Sequence, residues 1–74
     1  MIGRIKWFDN NKGYGFIEYN EYEDIFVHYS NILQDGYKTL SEGDIVQYEL
    51  LRTDKGLQAK HVLHVKDSLQ FNIY

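Results

Sequence analysis

Cysteine is absent from this 74-residue sequence, and with it go both a disulfide scaffold and a thiolate metal site. No apolar run approaches the roughly 20 residues that a bilayer-spanning helix needs. Met1 is not followed by a signal-peptide layout, so the simplest expectation is a cytoplasmic protein with no membrane association. The arrangements that carry catalysis are missing too: no carboxylate pair, no nucleophile beside a base, no glycine-rich phosphate loop opening a helix. Neither enzymatic activity nor a cofactor is expected. His61 and His64 do not add up to a metal site, because residues three apart on a strand point to opposite faces.

A basic surplus is lacking as well. The net charge of −3 speaks at first sight against a nucleic-acid partner, but its distribution softens the objection. Residues 1–16 carry Arg4, Lys6 and Lys12 against Asp9, a net of +2, and residues 55–74 return to +2, while the stretch between them holds a net of −7. If the two outer segments meet in space, a positive strip borders an acidic remainder, and binding would depend on stacking more than on bulk charge.

What the sequence does have is Lys12-Gly13-Tyr14-Gly15-Phe16-Ile17, followed after a short loop by Asp24-Ile25-Phe26-Val27-His28-Tyr29. Both segments alternate with the period of a strand, yet the alternation is between two apolar kinds. Ile17, Ile25 and Val27 fall on one face; Tyr14, Phe16, Phe26 and His28 fall on the other. Aromatic residues in strands commonly belong to the core. A chain this short, however, buries little more than about 60% of its unfolded surface and has no second layer with which to cover both faces. The row of rings is therefore expected to meet water, and a cation on a flexible backbone beside it suits a polyanion whose bases can stack.

These two segments resemble the paired ribonucleoprotein motifs of the cold-shock domain, K-G-Y/F-G-F-I and D-V/I-F-V-H-F/Y. The similarity continues in register through Ile5-Lys6-Trp7-Phe8, Tyr37-Lys38-Thr39-Leu40, Glu42-Gly43 and Gly56-Leu57-Gln58-Ala59, covering about residues 1–66. The resemblance implies a cold-shock domain over 1–66 and a C-terminal extension over 67–74. It also implies a non-enzymatic binder of single-stranded RNA or DNA, pyrimidine-rich by preference, that works as an RNA chaperone. Bases would stack on Trp7, Tyr14, Phe16, Phe26, His28 and Tyr37, with Tyr29 at the margin. Lys6, Lys12 and Lys55 would steer phosphates, and Asp24 and Gln58 would hydrogen-bond base edges. An alternative from another class is a protein-interaction or oligomerisation module on the same barrel, which the acidic middle of the chain favours.

Taken in order, strands are expected at 1–9, 14–19, 25–28, 45–52 and 57–65. Strict alternation would bury Trp7 with Ile5, so the binding role that the resemblance implies for Trp7 requires a bend or bulge in the first strand. Gly15 would let another backbone approach closely. Ser30 is expected to cap a single helical turn through Asn31-Ile32-Leu33, with Ile32 anchored in the core. The fold class expected is all-β: a five-stranded antiparallel OB-fold Greek-key barrel, whose closure removes exposed edges.

Three positions depart from the family pattern. Asp9 replaces the usual Asn and puts a carboxylate where it would repel phosphates. Leu57 replaces proline and is expected to free the loop before Gln58. Lys60 shares the parity of Val62, which would point it inward unless the strand twists or the side chain snorkels outward. Beyond the resemblance, residues 68–74 alternate, with Leu69, Phe71 and Ile73 on one side. They read either as a sixth strand, on the barrel's own edge or on another copy's edge to make a homodimer, or as a frayed terminus.

Overall fold

The computed structural model describes residues 1–34 and 39–65. Five strands account for most of them: β1 (Ile2–Asp9), β2 (Tyr14–Glu18), β3 (Asp24–His28), β4 (Ile45–Thr53) and β5 (Gly56–His64). They close into a barrel in the order β1-β2-β3-β5-β4. All pairings are antiparallel except β3 with β5, which meet in parallel at Phe26 and Gln58. Closure leaves few unpaired strand edges, as a chain with so little helix requires. Among the described residues, no helix is long and apolar enough to cross a membrane.

The core is made by the inward parity of each strand. Ile5, Ile17, Ile25, Val27, Val46 and Val62 are fully buried, and Tyr48, Leu57 and Ala59 nearly so. Two residues outside the strands, Ile32 and Leu40, close it. Aliphatic, largely β-branched side chains suit this interior because they pack well on a pleated surface with little rotamer freedom to lose.

Two irregularities change which way side chains point. In the β1–β2 ladder Ile5 pairs with Ile17 but Trp7 pairs with Phe16, so β1 holds one residue more than β2 across that interval. The extra residue reverses the parity, and Trp7 comes out 40% exposed although it lies two positions after fully buried Ile5. In the β4–β5 ladder Gln47 pairs with Leu63 and Glu49 with Lys60, so two residues of β5 stand opposite Tyr48. One of them, His61, has φ of 51°. This bulge decides the position of Lys60: the inward parity expected from Val62 does not hold, and Lys60 is exposed while Ala59 and Val62 are both buried.

The expected helical turn is shifted. A 3-10 turn spans Tyr29–Asn31, and its cap is His28 rather than Ser30. The imidazole Nδ1 of His28 accepts from the Ser30 N–H at 3.3 Å and lies 2.8 Å from the Ser30 hydroxyl. A ring at the end of a strand can take the N–H two residues on, which leaves Ser30 inside the turn. Ile32 is the core anchor expected, 1% exposed, with its N–H donating to the Tyr29 carbonyl.

Candidate nucleic-acid interface

The rings are gathered by register. Trp7 on β1, Phe16 on β2, Phe26 on β3 and Gln58 on β5 are successive cross-strand partners, so they form one row across four strands. Asp9, Tyr14 and His28 form the next row. Ring centroids lie 5.6 Å apart for Trp7–Tyr14, 5.8 Å for Trp7–Phe16, 5.9 Å for Phe16–Phe26 and 5.8 Å for the diagonal Tyr14–Phe26. Most of these contacts are edge-to-face, an arrangement that favours aromatic pairs by about 0.5–1.5 kcal/mol each and holds the rings in place before any ligand arrives. Tyr14, Phe16, Phe26 and His28 are half-buried, with their inner sides on the sheet and their outer sides open.

Two glycines make this surface continuous. A Cβ on Gly15 would lie 2.2 Å from the Trp7 carbonyl oxygen and 2.7 Å from the Phe8 Cα, so no larger residue lets β1 approach β2 here. The Phe8 ring lies over the vacant position and packs on the core, leaving the outer face to Trp7. Gly13 has φ of 80°, and the Tyr29 ring sits where its side chain would be. Backbone hydrogen bonds from Gly13 N–H to the Asp9 carbonyl and from Tyr29 N–H to the Gly13 carbonyl fix that corner. Tyr29 is 49% exposed, with its ring centroid 4.6 Å from that of His28, so it extends the rings beyond the end of β3.

The polar residues are arranged less simply. Lys6 is the residue opposite which β2 has none, and its Nζ lies 3.0 Å from a carboxylate oxygen of Asp24. The two groups assigned separate tasks in the sequence thus hold each other, with both partners open to solvent. Lys12 projects from the β1–β2 turn and is exposed. Asp9 Oδ1 accepts from the N–H groups of Asn11 and Lys12 at 2.9 and 3.0 Å. One oxygen of the carboxylate therefore builds the turn that carries Lys12, a task open equally to the family's Asn. Leu57 corrects another expectation. It is not a loosened loop residue but a core residue, 6% exposed and paired with Arg52, so burial holds the start of β5 in place of proline's stiffness. Gln58 is half-buried beside Phe26, and Lys55 is exposed on the β4–β5 tip, its N–H bonded to the Thr53 hydroxyl. Tyr37, which the sequence placed with the rings, lies outside the described residues.

A feature the sequence did not suggest borders the rings at the Lys6–Asp24 pair. It is a cleft of about 590 Å³ lined by Arg4, Lys6, Glu18, Tyr19, Asp24 and Glu42 among others. Arg4 and Lys6, in the positive first segment, and Asp24 were singled out in the sequence on other grounds; the rest come together because the middle of β1, the end of β2 and the start of β3 meet the turn before β4. Among the described residues, no cluster of three His, Asp or Glu side chains is placed to hold a metal ion.

The profile of the 'Cold-shock' DNA-binding domain family matches residues 1–65. A cold shock-like protein of Thermotoga maritima is 53% identical over 62 residues, 84% of this chain and 94% of that protein. Cold shock-like protein CspC of Bacillus cereus is 49% identical over 63 residues, covering 85% and 97% of the two chains. Cold shock protein CspA of Staphylococcus aureus is 51% identical over 61 residues, covering 82% and 92%. Among solved structures, Drosophila Unr CSD456 superposes with a TM-score of 0.68 at 22% identity, over 85% of this chain and 25% of that longer one, a likeness of fold.

Proposed function

We propose, from the premise that this chain belongs to the cold-shock domain family of nucleic-acid-binding proteins, that it captures single-stranded RNA or DNA by stacking unpaired bases on its rings. The observation that carries this reading is the contiguous set Trp7, Tyr14, Phe16 and Phe26, mutually braced and open on one side above a largely aliphatic core. Exposing several aromatic faces has no benefit for folding, whereas a base laid on such a face gains roughly 1–3 kcal/mol. His28 and Tyr29 continue the stack, and Tyr37 takes the next base. Lys6, Lys12 and Lys55 attract phosphates. Asp24 and Gln58 accept from or donate to base edges, Asp24 on leaving Lys6.

Such a platform discriminates weakly among sequences, because every base has a π-face; a preference for pyrimidine-rich strands arises from stacking and backbone flexibility. Capturing transcripts wherever they open shifts RNA folding by mass action without ATP or cofactor, which is the work of an RNA chaperone in the cytoplasm. No catalytic step is assigned. The test is a titration with oligothymidine and oligoadenine at two salt concentrations, following Trp7 emission. Quenching by both, stronger with oligothymidine, and a log–log salt slope of about −0.7 per neutralised phosphate are expected. Unchanged emission would exclude stacking on Trp7 and favour a protein partner for this face.

A further inference from the structure

One ring on the aromatic face differs from its neighbours in chemistry. Tyr14, Phe16 and Phe26 are carbocycles, whereas His28, the cross-strand partner of Tyr14, carries two ring nitrogens. One of these is already engaged. Nδ1 accepts the Ser30 backbone N–H at 3.3 Å and lies 2.8 Å from the Ser30 hydroxyl. A backbone N–H can only donate, so Nδ1 presents its lone pair, and the neutral imidazole carries its proton on Nε2. The hydroxyl then donates to the same nitrogen. The backbone around the ring is held as well: Tyr29 N–H donates to the Gly13 carbonyl, Ile32 N–H to the Tyr29 carbonyl, and the Tyr29 ring lies 4.6 Å from the imidazole. With Nδ1 turned into the 3-10 turn, Nε2 is aimed away from it. Among the described residues, the hydrogen bonds of His28 are made by Nδ1 alone.

We propose that His28 is a hydrogen-bond donor of fixed tautomer, held by Ser30, and that its Nε2–H binds an oxygen of the captured strand beside the base stacked on its face. The proposal rests on the stacking reading above and adds to it a polar contact with a defined direction. Ring geometry says where the acceptor lies. An N–H points within the plane of its ring, so it cannot reach a base lying on that ring's face; it meets the phosphate or the base carbonyl of the adjoining nucleotide. Ser30 is the positioning residue, because a proton moved to Nδ1 would face two donors and leave Nε2 with a lone pair turned toward oxygen atoms.

The first measurement needs no ligand. In mildly alkaline buffer, long-range proton–nitrogen spectra of the full chain should show His28 Nδ1 as unprotonated and Nε2 as N–H. Ser30→Ala should move both nitrogen shifts toward the average of the two tautomers, and Ser30→Thr should leave them in place. A protonated Nδ1, or shifts unmoved in Ser30→Ala, would overturn the role of Ser30. Adding oligothymidine to the native chain should then slow exchange of the Nε2 proton with water until its resonance appears. His28→Phe, which keeps a ring to stack on, should weaken binding by roughly 3- to 10-fold. A similar loss with oligoadenine assigns the acceptor to phosphate, and a loss confined to oligothymidine assigns it to a base carbonyl, which adenine lacks. An Nε2 proton that still exchanges freely in the complex would overturn the proposal whatever the variant's affinity, while quenching of Trp7 in the same titration would leave the stacking reading intact.

Discussion

The strand pairs β2–β3 and β4–β5 bury the same kind of residue and expose different ones. Inside, Ile17, Ile25 and Val27 face Val46, Leu57, Ala59 and Val62. Outside, β2–β3 presents Tyr14, Phe16, Phe26 and His28, while much of β4–β5 presents Glu49, Arg52, Lys60 and His61, with Glu49 and His61 3.1 Å apart. The charged exterior is the ordinary solution for a sheet with one wet face. The ring exterior leaves aromatic surface in water, which the function proposed above explains as a surface for a ligand. One shared core, aliphatic except for Tyr48, supports both exteriors, so the two pairs differ mainly in their outward residues.

The comparison can be broken most forcefully from the inside. Ile17→Ala on β2 and Val46→Ala on β4 remove fully buried side chains, and urea unfolding should show a loss of about 2–5 kcal/mol for the first and somewhat less for the second. A large asymmetry between the two would mean that the pairs do not share one core. Next in size, Phe16→Ala or Phe26→Ala should weaken oligothymidine binding by about 1–3 kcal/mol in a fluorescence titration, with Glu49→Ala and Lys60→Ala leaving it nearly unchanged. Equal losses on both exteriors would contradict a stacking platform. Lys12→Ala should cost less than either ring substitution at moderate salt, because an exposed cation is screened, and the gap should narrow as salt is lowered.

The smallest effect belongs to the barrel interior at high pH. Burial, and after it the neighbouring Tyr19, raises the Tyr48 phenol above its ordinary value of 10.0. The folded state then holds this proton where the unfolded chain has released it, so stability should fall as the pH rises above about 10, toward the folded-state value. Denaturant midpoints measured between about pH 9 and 11 should decline in the native protein, and Tyr48→Phe should flatten part of that decline. An unaltered slope would place the alkaline sensitivity elsewhere.

In β2 and β3 the faces could be read by counting alternate residues, because the two strands pair without interruption from Tyr14–His28 to Glu18–Asp24. Trp7 and Lys60 could not be read that way. Each follows or precedes a bulge whose place depends on how many residues the partner strand supplies, which no single strand records. For Trp7 the family resemblance pointed to the outward face that parity denied; for Lys60 the sequence left open an inward side chain, a twisted strand or a snorkelling side chain, and the bulge in β5 decided for the outward position. Leu57 was misjudged for a related reason: the turn chemistry of Asp54-Lys55-Gly56 was plain, but where the hairpin re-enters the core depends on its pairing with Arg52.

Alone, the sequence determined that there would be five short strands, an aliphatic interior and a row of rings with no interior of its own, since composition and period are local and a chain of 74 residues offers few ways to bury them. Only the tertiary structure decided that Lys6 and Asp24 hold each other, that His28 caps the turn after β3, and that Trp7, Phe16, Phe26 and Gln58 stand in a single row. Those relations arise from closure of the barrel, which brings into contact residues whose separation along the chain carries no information about their distance in space.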